Sequence, residues 1–401
     1  MNAGPRPAAP VVADPLAFCG VEVARLEAEG LGRRVRALDS ASEPEVIIDG
    51  RRVLCLASNN YLGLAAHPDV VEAAAEAARR YGAGSGSARL VTGGLVLHDE
   101  LEARLAAFKG TEAALLFSSG YLANLGTVAA LVGPGDAVFS DALNHASIID
   151  GSRLSRADVH VYRHADAGHL ADRLGVWRRR AGPGSRALVV TDSVFSMDGD
   201  VAPLPDIAAA CERHDAMLMV DEAHATGVVG PGGRGAVAGH GLEGRVGVVM
   251  GTLSKSLGAA GGFIAGSADL CAYLRNRARS FVFDTALPPP TAAAALAALG
   301  VVEREPERPV RARRLATRLA GGLRAAGYDV PDPAAAVVPV VVGAPDAAMT
   351  LSARLLDAGV LVTAIRPPSV PEGTSRLRAT VMATHTDLEI DRAVAAFAAA
   401  R

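Results

Sequence analysis

The chain has 401 residues, enough for two or three domains, and only 4% are aromatic while 50% are hydrophobic, which predicts a tight rather than bulky core. Its formal net charge of −3, from 40 Lys and Arg against 43 Asp and Glu, argues against nucleic acid or an anionic membrane as a partner. Four scattered cysteines, no secretion signal and no uncharged apolar run of membrane-spanning length indicate a cytoplasmic protein without disulfides, a zinc site or a membrane span.

The chain order of the elements predicts three parts. Residues 1–55 form an N-terminal segment with a disordered start of about a dozen residues, a helix, and a hairpin that turns at Asp49-Gly50. Residues 56–290 alternate short apolar strands with helices, which predicts a large α/β domain with a mostly parallel sheet covered by helices. After Pro288 to Pro290, residues 291–401 form a smaller α+β domain.

Polar residues follow the predicted strands, where a parallel sheet gathers its function. Asp221 ends the run "LMVD" and His224 follows three residues later. A buried carboxylate needs a cation or strong donors, although a helix N-cap or a loop acid would explain Asp221 equally well in isolation. His224 fits a loop histidine, and no third ligand stands at a spacing familiar from metal sites, so no metal is predicted.

Lys255 follows the next apolar strand in "GTLSKSLG". A lysine in a dry pocket has a lowered pKa and can form a Schiff base, whereas a solvated lysine would be the plainer interpretation. The hydroxyls of Thr252 and Ser254 suit a phosphate. Pyridoxal phosphate requires three such groups: an acid at its ring nitrogen, an amine at its aldehyde and a hydroxyl-rich turn at its phosphate.

A third strand end, "FSSGYLAN", supplies a predicted helix start at Gly120 and Tyr121. Backbone N–H groups at a helix N-terminus can hold a phosphate, although an ordinary turn between strand and helix has the same pattern. His145 in "NHASIIDG" could stack on a pyridine ring and reach a reacting carbonyl, or could be a structural histidine.

Seven segments of the chain resemble the motifs of the α-oxoamine synthase family and occur in the same order. They are "NNYLGL", "YGAGSGSARLVTGG", "FSSGYLAN", "NHASIIDG", "VFSMDGDVAPL", "VDEAHATGVVG" and "GTLSKSLGAAGGF". The resemblance runs from about residue 20 to the end of the chain. It implies a fold-type I pyridoxal phosphate-dependent transferase that condenses an amino acid with an acyl thioester and releases carbon dioxide.

The family's motifs imply roles for particular positions. Lys255 would carry the Schiff base, Asp221 would pair with the ring nitrogen, and His145 would stack on the ring; these three are the expected catalytic residues. Thr285 in "FDTALPP" would reach the neighbouring subunit's phosphate, which implies a homodimer with shared active sites. His224 would contact the cofactor's phenolic oxygen, and Asp192 lies where members of the family carry glutamate or aspartate. The full set of expected cofactor contacts is Gly120, Tyr121, His145, Ser196, Asp221, His224, Thr252, Ser254, Lys255 and Thr285.

The segment "AIRPPSVPEGTSRLRATV" contains the expected substrate contacts. A guanidinium is a natural bidentate partner for a carboxylate, and by motif position Arg378 resembles the residue that holds the amino acid's carboxylate. Ser369 is a further expected contact, and Arg33 is an expected contact of the acyl chain's carboxyl end, against the interpretation as a solvated helix arginine. The A-I-R-P-P form is most similar to the branch that joins L-alanine to a pimeloyl thioester, carried on coenzyme A or a carrier protein, in biotin biosynthesis.

The sequence leaves three alternatives open. A glycine-using member of the same family is the main one. A dinucleotide-dependent oxidoreductase would use "YGAGSGSARLVTGG", but those glycines follow a predicted helix ending at Tyr81 rather than a strand. A non-catalytic cofactor-binding regulator would need an additional recognition module, for which the leading residues are too few and too uncharged.

Overall fold

The computed structural model describes residues 14–33 and 35–401, so the predicted disordered start lies outside the described residues. The helices are α1 (Ala17–Ala28), α2 (Pro68–Tyr81), α3 (Val96–Lys109), α4 (Gly120–Leu131), α5 (Ala146–Ser155), α6 (Ala167–Arg178), α7 (Leu204–Arg213), α8 (Ala236–Gly239), α9 (Ala268–Arg277), α10 (Arg279–Val282), α11 (Pro289–Arg304), α12 (Glu307–Ala325), α13 (Pro345–Asp357) and α14 (Asp387–Ala400). The strands are β1 (Glu45–Ile48), β2 (Arg51–Cys55), β3 (Ala113–Phe117), β4 (Ala137–Asp141), β5 (Asp158–Tyr162), β6 (Ala187–Asp192), β7 (Met217–Asp221), β8 (Val248–Thr252), β9 (Gly262–Gly266), β10 (Val337–Gly343), β11 (Val360–Leu361), β12 (Thr363–Ile365) and β13 (Ser375–Thr380).

A seven-stranded sheet in the order β3-β9-β8-β7-β6-β4-β5 forms the centre of the molecule. All neighbouring strands in it are parallel except β9, which runs antiparallel to both β3 and β8. The prediction of a mostly parallel sheet is therefore confirmed. The strands were recognisable because a sheet with two covered faces needs continuous apolar runs, and every residue of β6 is buried.

Both faces of this sheet are covered, as predicted. Along β6 the alternate residues Leu188 and Val190 join one buried apolar cluster, while Val189 between them joins the other. The first cluster is shared with residues of α4, α5 and α9, and the second with residues of α3, α7 and α11. Side chains of a strand alternate between faces, so the sheet separates two helical layers.

The C-terminal region contains a smaller antiparallel sheet in the order β10-β13-β12. The predicted N-terminal hairpin is present: β1 and β2 are antiparallel and joined by Asp49 and Gly50, whose φ angles are 49° and 72°. Strand β11 adds to β2 in parallel, so the N-terminal hairpin pairs with the C-terminal part of the chain.

The three prolines near the predicted boundary do not precede a helix but begin it. Pro288 is the N-cap of α11, and Pro289 and Pro290 occupy its first turn, where a missing N–H costs no hydrogen bond. The boundary at residue 290 therefore lies inside α11, and the division into segments 1–55, 56–290 and 291–401 stays a prediction.

Candidate functional site

A cleft of about 500 Å³ opens at the carboxyl ends of the central parallel strands. The last residues of β6, β7 and β8 line it, which are Asp192, Asp221 and Thr252. This is where ligands bind in open α/β sheets. The expected cofactor residues found in its wall are Gly120, Tyr121, His145, Asp221, His224, Thr252, Ser254 and Lys255.

Asp221 is only 3% exposed at the end of β7. One carboxylate oxygen accepts a hydrogen bond from the Asn124 side-chain amide at 2.7 Å, and the other accepts the backbone N–H of Ala223 at 2.8 Å. No lysine, arginine or histidine of the described residues forms an ion pair with it. The carboxylate is thus oriented and available to a cation that enters the cleft.

Lys255 lies in the bend after β8 and faces the same cleft. Burial lowers the pKa of its ammonium, and the positive charge of Arg378 acts in the same direction, while Asp221 and Asp192 oppose it. Its amine forms no hydrogen bond or ion pair within the described part of the chain. A lysine with a lowered pKa and no competing partner is suited to act as a nucleophile and a base.

His145 is the N-cap of α5 and is fixed on two sides. Its backbone N–H donates to the Asp192 carboxylate at 2.9 Å, and its Nδ1 accepts from the backbone N–H of Ser147 at 3.3 Å. Burial lowers the pKa of the imidazole, so the neutral ring carries its proton on Nε2. Burial, followed by the charge of Asp221, also raises the pKa of Asp192 well above its ordinary value.

The N-terminus of α4 forms one wall of the cleft. Ser119 caps it by accepting the backbone N–H of Leu122 at 3.1 Å, and a Cβ at Gly120 would lie 2.7 Å from Met250 Cε, so the methionine would have to move. On the facing side, the Thr252 hydroxyl donates to the Gly261 carbonyl at 2.9 Å and lies 2.7 Å from the Ser254 hydroxyl. Backbone N–H groups, a positive helix end and hydroxyls are together a donor set for a phosphate.

Tyr121 takes part in this wall, but its phenol points outward. The side chain is exposed, and its hydroxyl donates to the carboxylate of Asp150 on α5.

Arg378, on β13, is 7% exposed; it is not one of the residues that line the cleft, but its charge acts on Lys255. Its Nη1 donates to Asn59 Oδ1 and its Nη2 to the Tyr61 hydroxyl, each at 3.0 Å, while its Nε donates to the backbone carbonyl of Ser196. The Tyr61 hydroxyl is in turn 2.7 Å from Nδ1 of His224. Ser196 therefore accepts a hydrogen bond from Arg378 through its backbone carbonyl and not through its hydroxyl.

The remaining expected residues lie outside the cleft. Thr285 is exposed, and its carbonyl accepts a hydrogen bond from the Ser118 hydroxyl at 2.9 Å. Ser369 and Arg33 are also exposed, and both adjoin Arg366: the Ser369 backbone N–H donates to the Arg366 carbonyl, and the Arg366 guanidinium donates to the carbonyl of Gly32. Arg366 thus links the segment of Ser369 to the residue before Arg33, while no hydrogen bond joins the two expected residues themselves within the described part of the chain.

Sequence reasoning gave no role to Asn124, Asn59 or Tyr61. All three lie inside segments that carried the family resemblance, "GYLAN" and "NNYLGL", so the signal was a matched position without an assigned function. Asn124 orients the Asp221 carboxylate, while Asn59 and Tyr61 hold Arg378.

Across residues 14–33 and 35–401 there is no cluster of three His, Cys, Asp or Glu side chains arranged to hold a metal ion. Within the same ranges, no helix combines the length and the apolar character that crossing a bilayer requires.

Residues 51–397 match the family model described as aminotransferase class I and II. The 8-amino-7-oxononanoate synthase of Anaeromyxobacter dehalogenans is 54% identical, covering 96% of this chain and 95% of that one. A serine palmitoyltransferase structure from S. paucimobilis, with a bound PLP–myriocin aldimine, is similar at TM-score 0.90 and 35% identity, covering 96% and 97% of the two chains. The 8-amino-7-oxononanoate synthase structure from Francisella tularensis is similar at TM-score 0.73 and 26% identity, covering 86% and 97%. The chain belongs to the aminotransferase class I and II family of pyridoxal phosphate-dependent enzymes, and within it to the α-oxoamine synthases, as its motifs predicted.

Proposed function

We propose that this protein condenses L-alanine with a pimeloyl thioester to give 8-amino-7-oxononanoate, carbon dioxide and the free thiol, as a step of biotin biosynthesis. The observation that carries the proposal is the pairing of an unpartnered Lys255 amine and an unpaired Asp221 carboxylate in one cleft, with Arg378 beside them. The 54% identity to an 8-amino-7-oxononanoate synthase supports these substrates over those of the glycine-using relatives.

The residues of the cleft fit pyridoxal phosphate. Asp221 is a buried carboxylate that lacks a cation. The Thr252 hydroxyl gives its proton to the Gly261 carbonyl, so the donors for an anion in the cleft are the N-terminus of α4 and the Ser254 hydroxyl. The cofactor supplies, when bound, an electron sink that stabilises negative charge at the Cα of an amino acid.

Within this assignment, two residues manage protons. Asp221 would keep the ring nitrogen protonated, and Asn124 holds the carboxylate in the orientation needed. Lys255 would remove the proton from Cα, since a lowered pKa favours the unprotonated amine that a base requires. His224 would donate a hydrogen bond to the phenolic oxygen.

Arg378 would bind the carboxylate of L-alanine. Its three hydrogen bonds within the protein fix the plane of the guanidinium, so the amino acid is oriented when its carboxylate binds. Orientation matters because it decides which bond at Cα breaks.

The condensation balances as follows. A bond forms between Cα of L-alanine and the acyl carbonyl carbon as the thiolate leaves, and the proton taken from Cα neutralises that thiolate. The bond from Cα to the carboxylate carbon then breaks to release carbon dioxide, and Cα takes up a second proton. His145 would donate from Nε2 to the oxyanion that develops on the acyl carbonyl, and its stacking on the ring would hold it there.

The remaining assignments extend this proposal. Thr285 would reach the cofactor phosphate of a second subunit in a homodimer, which agrees with its exposed position away from its own chain's cleft. Arg33 and Ser369 would contact the acyl substrate, and the bond from the Arg366 guanidinium to Gly32 joins the two segments that carry them. The free cysteines among the described residues agree with a cytoplasmic location.

The test is turnover of the cofactor-loaded protein. We expect thiol release and 8-amino-7-oxononanoate, identified by mass, from L-alanine with pimeloyl-CoA, and no comparable product from glycine with acetyl-CoA or succinyl-CoA. Lys255→Ala should abolish turnover, and so should Lys255→Arg, which keeps the charge but not the nucleophile. A preference for glycine would replace the proposal with the glycine-using alternative.

A further inference from the structure

The buried hydroxyl of Tyr61 lies between two parts of the site that the proposed function uses separately. Tyr61 is 0% exposed; its hydroxyl accepts from Arg378 Nη2 at 3.0 Å and lies 2.7 Å from His224 Nδ1. Arg378 is assigned to the substrate's carboxylate and His224 to the cofactor's phenolic oxygen. One hydroxyl therefore connects amino-acid recognition to the group that adjusts the cofactor.

The number of protons available decides how this connection works. A guanidinium only donates, so the Tyr61 oxygen accepts from Arg378 and has one proton to give. It can go to Asn59 Oδ1 at 3.0 Å or to His224 Nδ1 at 2.7 Å, and Asn59 Oδ1 already accepts from Arg378. The shorter distance favours His224, and Nδ1 of His224 has no other hydrogen-bond partner among the described residues, whereas Asn59 Oδ1 also accepts from Arg378.

Donation to Nδ1 fixes the tautomer of His224. Burial, with the charges of Lys255 and Arg378 adding to it, lowers the pKa of His224 well below its ordinary value, so the ring is neutral. A neutral imidazole that accepts at Nδ1 carries its proton on Nε2. The ring lines the cleft, and Nε2 has no hydrogen-bond partner among the described residues, so it is free to donate into the cleft.

We propose that Tyr61 is a positioning residue that fixes the donor tautomer of His224 and the plane of Arg378 together, and so couples binding of the amino acid's carboxylate to the state of the cofactor. Burial raises the pKa of the Tyr61 phenol, which keeps the proton that this arrangement needs. The inference rests on the proposed function for the identities of the two ligands.

The experiment uses Tyr61→Phe in the cofactor-loaded protein and follows the visible absorbance of the bound cofactor, without an acyl donor. Without the Tyr61 hydroxyl, His224 should donate less to the cofactor's phenolic oxygen, and that oxygen should hold the neighbouring proton more tightly. The midpoint of the band's pH titration should therefore move upward by about one unit. The dissociation constant of L-alanine, from a titration of the same band, should rise about tenfold.

Double variants separate positioning from general loosening of the fold. Because Tyr61 acts on the band through His224, Tyr61→Phe should add little to the pH shift of His224→Gln, and likewise little to the weaker L-alanine binding of Arg378→Lys. Tyr328→Phe is the control: it removes a hydroxyl that donates to the Phe397 carbonyl at 2.9 Å, at a residue outside the cleft lining, and should change neither readout.

Additive shifts, or a Tyr61→Phe protein with an unchanged titration midpoint and unchanged L-alanine binding, would overturn the inference. The proposed function fails differently, through wild-type protein that binds the cofactor but does not turn over L-alanine with pimeloyl-CoA. The two results are therefore distinguishable, since one is read from the spectrum of the variant and the other from turnover of the wild type.

Discussion

Lys109 is buried at the end of α3, and its replacement by methionine should be among the most destabilising single changes in the protein. The ammonium is 2% exposed and donates to Glu222 Oε2 at 2.6 Å, to the Thr226 hydroxyl at 2.8 Å and to the carbonyl of Arg234 at 2.8 Å. Glu222 is 0% exposed and keeps only the backbone N–H of Val237 if the lysine is removed. A buried carboxylate that loses its partner costs about 3–5 kcal/mol.

The consequence reaches the site, because Glu222 directly follows Asp221 at the end of β7. We expect Lys109→Met to lower the free energy of unfolding of the cofactor-free protein by about 3–5 kcal/mol. The assay is urea unfolding at one fixed protomer concentration, followed by the fluorescence of the single tryptophan, Trp177. Weaker pyridoxal phosphate binding should accompany the loss of stability.

Two variants check the reasoning. Adding Glu222→Gln to Lys109→Met removes the unpaired charge while keeping an acceptor for Val237, and should recover about 1–3 kcal/mol. Arg318→Met breaks the exposed pair with Asp391 and should cost far less than Lys109→Met, because solvent screens exposed charges. If Lys109→Met costs no more than Arg318→Met, burial does not govern the strength of this pair and the reasoning is refuted.

Two further changes test other parts of the fold. Hydrogen bonds to Asp141 and Asp200 raise the pKa of His164 to about 10, so its contribution to stability is complete below about pH 6.5, its unfolded value, and is lost as the pH rises through 10. The difference in urea midpoint between wild type and His164→Gln should therefore shrink between pH 6.5 and pH 10, and a constant difference would contradict it. Gly251→Ala places a Cβ 2.3 Å from the ring of buried Phe263 on the neighbouring strand. It should lower the free energy of unfolding by about 1–3 kcal/mol. An unchanged urea midpoint would show instead that the ring moves freely.

The features that the sequence predicted well are those that local patterns determine. Continuous apolar runs that stop at a polar residue located the ends of β6, β7 and β8, and a shared edge of the sheet then brought Asp192, Asp221 and Thr252 into one cleft. Pairings between distant residues have no such pattern. Tyr61 and Arg378 are 317 positions apart, and only folding of the C-terminal sheet brings them together.

Arg376 and Arg378 illustrate the same limit within one strand. Their spacing of two predicts that both lie on one face of β13, and both are buried, at 4% and 7% exposure. Alternation could not distinguish their partners: Arg376 pairs with the carboxylate of Asp198, which neutralises it, while Arg378 meets only neutral acceptors. Arg378 therefore retains an uncompensated charge for an incoming carboxylate, which is a reason for assigning substrate binding to it rather than to its neighbour.

The difference between backbone position and side-chain partners also explains why backbone similarity is a weak guide to substrate in this family. The serine palmitoyltransferase structure is similar at TM-score 0.90, whereas a structure of an 8-amino-7-oxononanoate synthase reaches only 0.73. A fold positions a cofactor and its catalytic groups, and side chains around them select the substrates. In this protein Lys255, Asp221 and His224 lie on the central sheet's edge, while Arg378 belongs to the small sheet and is held by Asn59 and Tyr61. Because the two groups of residues come from different sheets, the proposed amino-acid contact can change while the proposed cofactor contacts stay fixed, so identity along the sequence carries more weight for substrate than superposition of the backbone.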